Sequence, residues 1–197
     1  KGCGDPINVV TGSLMMDYEE MTLHDTREDF VLHRIHESIH TNEGMMLGSR
    51  WYLNIETRLI REEDTITVQK PDMHVETFHL EEGNWKNERN GDLSLTLKEC
   101  RDGYILEEAQ TQKQYHYQSD GKIAAIEDAC KNRTVFCYEG EVLTRMTLAS
   151  GQYLDFTFEN KKLKKVEDIL GRKITYAYEG ELLSEVTMPN GGKIRYT

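Results

Sequence analysis

The 197-residue chain is predicted to be all-β, an open antiparallel sheet of repeated hairpins with a β-rich segment at its amino end. Three observations predict this. A unit of twenty residues recurs, because "FCYEGEVLTRMTLASGQYL" (136–154) returns as "FTFENKKLKKVEDILGRKI" (156–174) and again as "YAYEGELLSEVTMPNGGKI" (176–194). Within each unit, apolar and polar residues alternate with the period of two that marks a half-buried strand. Nothing elsewhere carries the longer period of an extended amphipathic helix.

Taken in order, the elements begin with "FVLHRIHESIH" (30–40), where a valine and two isoleucines favour strand over helix. A strand puts Phe30, Leu32, Arg34 and His36 on one face and Val31, His33 and Ile35 on the other. The stretch 57–80 alternates through Ile66 and Val68, then through Val75, Thr77 and His79. Residues 81–92, "EEGNWKNERNGD", read as a polar loop, and a strand resumes at Leu93, Leu95 and Leu97. A soft boundary is expected near residue 65, giving segments 1–65 and 66–197, with repeats clearest from 115 to 197.

The repeats carry four columns, namely Tyr138, Phe158 and Tyr178; Leu143, Leu163 and Leu183; Met146, Val166 and Val186; and Gly151, Gly171 and Gly191. An earlier copy, "YHYQSDGKIAAIED" (115–128), puts Ile123 and Ile126 in the second and third columns. Each unit reads as two strands and two turns, with "EG", "EN" and "QSDG" supplying turn chemistry. The Leu and Val/Met columns lie three apart, so either a bulge or a change of face is expected near 164–165. A unit this short cannot bury its own apolar face, so neighbours must pair.

Composition narrows function. With 38% apolar and 30% charged residues the chain should fold as a globule. A net charge of −11 disfavours nucleic acid and anionic membranes, and the apolar runs fall short of a membrane helix. The basic run "KKLKK" (161–165) is expected at a solvated turn. Cys3, Cys100, Cys130 and Cys137 form no C-x-x-C pair. Shifted by forty residues, Cys130 falls on Leu170 and Cys137 on Ala177, so both are expected to be buried thiols. The chain begins "KGCGDP" and stops mid-pattern, so a longer parent carrying any export signal is expected.

His33, His36 and His40 are the candidates for a metal. On a strand His33 and His36 point apart, and the spacing lacks the H-E-x-x-H arrangement, so no metal is expected there. The acidic runs Glu62-Glu63-Asp64, Glu81-Glu82 and Glu107-Glu108 read as solvated faces rather than a glycosidase pair. No nucleophile elbow or phosphate loop is present, so no catalytic residue and no cofactor are expected. The aromatic series Tyr115, Tyr117, Phe136, Tyr138, Tyr153, Phe156, Phe158, Tyr176, Tyr178 and Tyr196 is expected to be the layer joining successive units. The alternative is a solvent-facing ladder for carbohydrate in an adhesive surface module.

The columns "Y-x-Y-E-G-x-L-L-x-x-V-T-x-x-x-G", with Gly140 and Gly180 in the turns, resemble the YD repeats of Rhs proteins. "GDPINVVTGSLMMDYEEM" (4–21) is similar to the domain that precedes those repeats. It matches that domain's opening at Gly4, Asp5, Pro6, Val9, Thr11 and Gly12, its strand arginine at Arg34, and its G-x-G-W phrase at Gly48 and Trp51. Arg50 stands where that phrase has its second glycine, His36 where an aromatic is usual, and Tyr-Glu where the repeats show Tyr-Asp. The resemblance implies a structural role, as the first stretch of a β-shell that encloses a carboxyl-terminal toxin domain in a secreted or cell-surface protein. The implied partners are the rest of the shell and the toxin, and the strand edge near Tyr196 is expected to allow homodimers.

Overall fold

A computed structural model describes residues 14–38, 46–71, 74–89 and 94–196. The expected signature at Gly4, Asp5, Pro6, Val9, Thr11 and Gly12, together with Cys3, His40 and Leu93, lies outside the described residues. Those described residues form strands, turns and loops without a helix, so the all-β prediction holds. The chain divides into two compact units, one made of Lys1–Glu56 with Gln152–Thr197, the other of Thr57–Gly151. Residue 65, near which a boundary was expected, begins a strand that pairs with the one before it.

The first unit opens with a three-stranded antiparallel sheet of β1 (Met15–Leu23), β2 (Phe30–Glu37) and β3 (Trp51–Leu53). The second unit is a meander of ten strands, each paired antiparallel with the next. They are β4 (Arg58–Glu62), β5 (Thr65–Gln69), β6 (Val75–Glu81), β7 (Asn84–Asn87), β8 (Leu95–Cys100), β9 (Gly103–Glu108), β10 (Lys113–Gln118), β11 (Ile123–Glu127), β12 (Arg133–Glu139) and β13 (Val142–Thr147). The first unit then resumes with β14 (Tyr153–Glu159), β15 (Lys162–Asp168), β16 (Lys173–Glu179), β17 (Leu182–Thr187) and β18 (Lys193–Arg195), again each paired with the next.

The meander of the second unit closes on itself. Leu59 N donates to Gly121 O at 2.9 Å, and Arg58 bridges Lys122. Inside lie Leu59, Ile66, Val68, Phe78, Leu97, Leu106, Tyr117, Ile123 and Phe136. Burying each such aliphatic or phenyl side chain contributes about 1.5–3 kcal/mol. Tyr117 keeps its hydroxyl satisfied in this core by meeting Thr57 Oγ1 at 2.7 Å, and burial pushes the phenol well above its ordinary range.

One expectation in this unit fails. The polar loop at 81–92 contains β7, because Glu82 and Gly83 both take positive φ (50° and 78°) and turn the chain into a hairpin with Trp85 buried. One tryptophan supplies the apolar anchor while its polar neighbours face water. In β6 the inward residues are Glu76 and Phe78, and Val75 is exposed. The alternation was therefore legible but its inward side was not, since Val75 and Phe78 fall on opposite faces.

The three-residue offset of the repeat columns is the work of a bulge. Thr157 pairs with Lys165 and Phe158 with Leu163, leaving Lys164 as the extra residue. Ala124, Thr144 and Ser184 are the extra residues of the other hairpins, at steps of twenty. A bulge lets two residues three apart face the same way, and Leu163 and Val166 are both fully buried. At two bulges a hydroxyl takes up the local carbonyl, Thr144 Oγ1 donating to Cys137 O and Ser184 Oγ to Ala177 O.

The basic run at 161–165 is mostly strand rather than turn. Asn160 and Lys161, with φ of 51° and 65°, make a two-residue hairpin turn, and Lys162–Lys165 belong to β15 with Leu163 buried. The cysteine expectation also fails, because Cys100, Cys130 and Cys137 are exposed. The forty-residue match had paired Cys130 with Leu170, but that leucine is 77% exposed in a turn, so the column was never a core column.

Lys131 occupies the glycine column of Gly151, Gly171 and Gly191 and shares their left-handed backbone, with φ of 67°. That conformation strains a residue with a Cβ. Lys131→Gly is expected to raise the melting temperature by about 2–4 °C. The ion pair it removes, to Glu127, has its lysine exposed and contributes little. Calorimetry on both proteins checks the shift, and an unchanged or lower temperature is the contrary result.

Candidate functional site

The most distinctive cluster among the described residues lies in the first unit and starts from a bulge. In β1 the register slips between Glu19 and Met21, leaving Glu20 as the extra residue. Glu20 and Met21 are consequently both buried, where strict alternation would send one of them to solvent. Glu20 thereby meets Arg34, which β2 places on the same inward face as Leu32.

Both side chains are fully buried. Arg34 Nε donates to Glu20 Oε1 at 2.6 Å, and Arg34 Nη1 donates to Tyr196 Oη at 2.5 Å. Tyr176 Oη donates to the other carboxylate oxygen at 3.2 Å. The guanidinium carbon sits 4.7 Å from the Tyr18 ring centre, 4.6 Å from that of Trp51 and 5.4 Å from that of Tyr196. Such stacking suits arginine, whose planar, weakly hydrated cation tolerates an aromatic cage. His36 completes the wall, its ring 4.7 Å from that of Trp51. Arg34 Nη2 and His36 Nδ1 have no hydrogen-bond partner among the described residues.

The electrostatics follow from burial. Desolvation lifts the Glu20 carboxyl above its ordinary range, and the charge and hydrogen bonds of Arg34 pull it back only partly. Burial, reinforced by Glu20, drives the Tyr176 phenol well up. Burial and the nearby cations Arg50 and Arg34 hold the His36 imidazole below its ordinary value. The result is an internally neutralised pair walled by rings. Arg34 and Tyr176 engage both carboxylate oxygens of Glu20, an arrangement that suits fastening.

Three further contacts join residues 14–56 to the β14–β18 ladder of the same unit. Leu163 N donates to Met46 O at 2.8 Å. Arg172 Nη2 donates to Thr22 O at 2.8 Å. Gly48, with φ of 83°, approaches so closely that a Cβ there would lie 2.6 Å from Glu181 O, so only glycine fits. Glu56 anchors the intervening loop by accepting from Leu53 N at 2.7 Å and Met46 N at 3.0 Å.

The expected site residues are thus only partly assembled. Arg34, Trp51 and His36 are in the cage, and Gly48 lies against the turn that carries Gly180 and Glu181. His33 points away from His36 and bonds Asp17 at 2.7 Å. Among the described residues no group of three His, Cys, Asp or Glu could hold a metal ion. Leu143, Leu163 and Leu183 are buried, Tyr138, Phe158 and Tyr178 half-buried, and Gly140, Gly151, Gly171, Gly180 and Gly191 take positive φ in the turns. Of the acidic runs, Glu108 departs from a solvated face, since it pairs at 2.8 Å with Lys70 and both are largely covered. Sequence reading missed Glu20, Tyr18 and the inward roles of Tyr176 and Tyr196. The available signal was a glutamate and an arginine set within two otherwise apolar strand faces.

Residues 4–78, under half of the chain, match a family described as Domain of unknown function (DUF6531). That match takes in Glu20, Arg34, Gly48 and Trp51, whereas Tyr176 and Tyr196 come from the repeats beyond it. No curated protein matches the chain.

Proposed function

We propose that this chain is architectural, the opening stretch of an Rhs/YD-type repeat shell that encloses and helps deliver a carboxyl-terminal toxin in a secreted or cell-surface bacterial protein. The observation that carries this reading is the uniform hairpin. The bulge residues Ala124, Thr144, Lys164 and Ser184 recur at steps of twenty with the same strand register. A unit of this kind extends by adding copies, and its natural product is a long sheet. β18 is in register to begin another unit, with Ile194 opposite Val186 as Ile174 is opposite Val166. Its outer edge would accept the next strand of the shell or, in the isolated fragment, a second copy. Every member of the aromatic series is buried or half-buried, so the adhesive alternative gains no support from an exposed ladder.

Limited proteolysis of the full-length parent protein tests the proposal. The carboxyl-terminal domain should resist cleavage while the repeats are intact and become digestible once they are deleted. Equal cleavage in both proteins would count against enclosure.

A further inference from the structure

On the face of the amino-terminal sheet that carries Arg34, the ladder sets three residues in one row. Met16 of β1 pairs with His36 of β2, and His36 pairs in turn with Trp51 of β3. Side chains directly opposite each other have Cβ atoms about 4.5–5.5 Å apart, so the Met16 thioether and the His36 imidazole are within reach of one another. The imidazole ring centre lies 4.7 Å from that of the indole, with the planes inclined at 56°. Tyr18, two residues along the same face, donates its hydroxyl to Met16 Sδ at 3.7 Å and holds the sulfur beside the row. His36 Nδ1 is buried without a hydrogen-bond partner among the described residues. A buried nitrogen in that state calls for an explanation. Burial and the Arg50 and Arg34 charges also hold the ring below its ordinary value, which favours the neutral form that binds metals.

A thioether paired with a neutral imidazole is a soft donor set, and thioether sulfur selects copper(I). We propose that Met16 Sδ and His36 Nδ1 are the ligands of a soft monovalent cation, copper(I), with the Trp51 indole facing it as a cation–π lid. Ligand number and charge choose this ion over others. Zinc takes four nitrogen, sulfur or carboxylate ligands, and the row offers two. Calcium and magnesium take oxygen ligands, and the row supplies none. Glu20 neutralises Arg34, but Arg50 adds positive charge that repels a divalent ion twice as strongly as a monovalent one. An ion held there ties β1 to β2 beside the Arg34 cage and stiffens the amino-terminal sheet. The inference is independent of what the array encloses.

Silver(I), a redox-inert stand-in for copper(I), is the probe, titrated into the full 197-residue chain. The four cysteines compete for soft ions and are first capped with N-ethylmaleimide. Heteronuclear NMR then follows the methionine methyl groups and the histidine ring nitrogens. The first equivalent should shift the Met16 methyl and His36 Nδ1 resonances together, while tryptophan fluorescence falls. Met16→Leu should weaken uptake at least about ten-fold, a loss that even an outer-shell partner of a metal ligand brings. Met188→Leu should leave uptake unchanged. Copper(I) competed anaerobically against bathocuproine disulfonate should rank the same variants alike. The proposal fails if other methionines shift first, if His36 Nδ1 does not move, or if Met16→Leu binds as well as the parent chain. The resonance shifts are read in the parent chain, so they decide the matter even where a variant does not fold.

Discussion

Arg34→Ala is expected to lower unfolding free energy by about 3–5 kcal/mol, because it strands a buried carboxylate. The Glu20 side chain is fully buried and has Arg34 as its charge partner. Truncation also empties the space between the Tyr18, Trp51 and Tyr196 rings. That loss is a large share of the ~5–15 kcal/mol that holds a domain folded. The penalty should depend on pH with a definite sign. Burial already raises the Glu20 carboxyl above its ordinary 4.5, and losing Arg34 raises it further. The folded state then binds the proton more readily than the unfolded chain, so the deficit is greatest at neutral pH. It shrinks as pH falls through the raised value. The double variant Arg34→Met with Glu20→Leu should recover most of the loss, since an apolar pair of similar volume carries no desolvation cost. Urea denaturation at pH 7 and pH 5 checks both statements. A loss below about 1 kcal/mol for Arg34→Ala would mean that the pair is not the fastening inferred from its burial.

How much of this was legible in the sequence depends on how far the interacting residues stand apart. The hairpins were legible because their signals are local. Leu154, Phe156 and Phe158 alternate over five positions, and Gly171 sits in a turn its neighbours already mark. The offset of three between Leu163 and Val166 announced an irregularity, but pattern alone could not separate a bulge from a change of face, because both put the same two residues inward. The cage was illegible for a different reason. Arg34 and Tyr196 are separated by 162 positions and Glu20 and Tyr176 by 156, so no local window contains the pair. The bulge at Glu20 also breaks the alternation that would have assigned its face. The cysteines misled because residue type was taken as a guide to burial where turn position decides it.

Gly121→Ala is the substitution expected to damage the second unit most. An added Cβ would lie 1.8 Å from Leu59 O and 2.9 Å from Leu59 C, both backbone atoms that cannot rotate aside. The residue also holds a φ of 85°, where a side chain costs about 1–2 kcal/mol by itself. Overpacking against fixed atoms adds about 1–3 kcal/mol. Relief requires β4 to move off the turn, which breaks the Leu59 N–Gly121 O bond that closes the meander. The combined loss is expected to be at least about 3 kcal/mol. Gly151→Ala separates the two causes, since Gly151 shares the φ of 85° yet has nothing within 4 Å of its added Cβ. That variant should cost only about 1 kcal/mol. Denaturant midpoints rank the two, and amide exchange at Leu59 should rise sharply in Gly121→Ala alone. Equal losses would reduce the effect to backbone strain and remove the contact with Leu59 as the reason the position needs glycine.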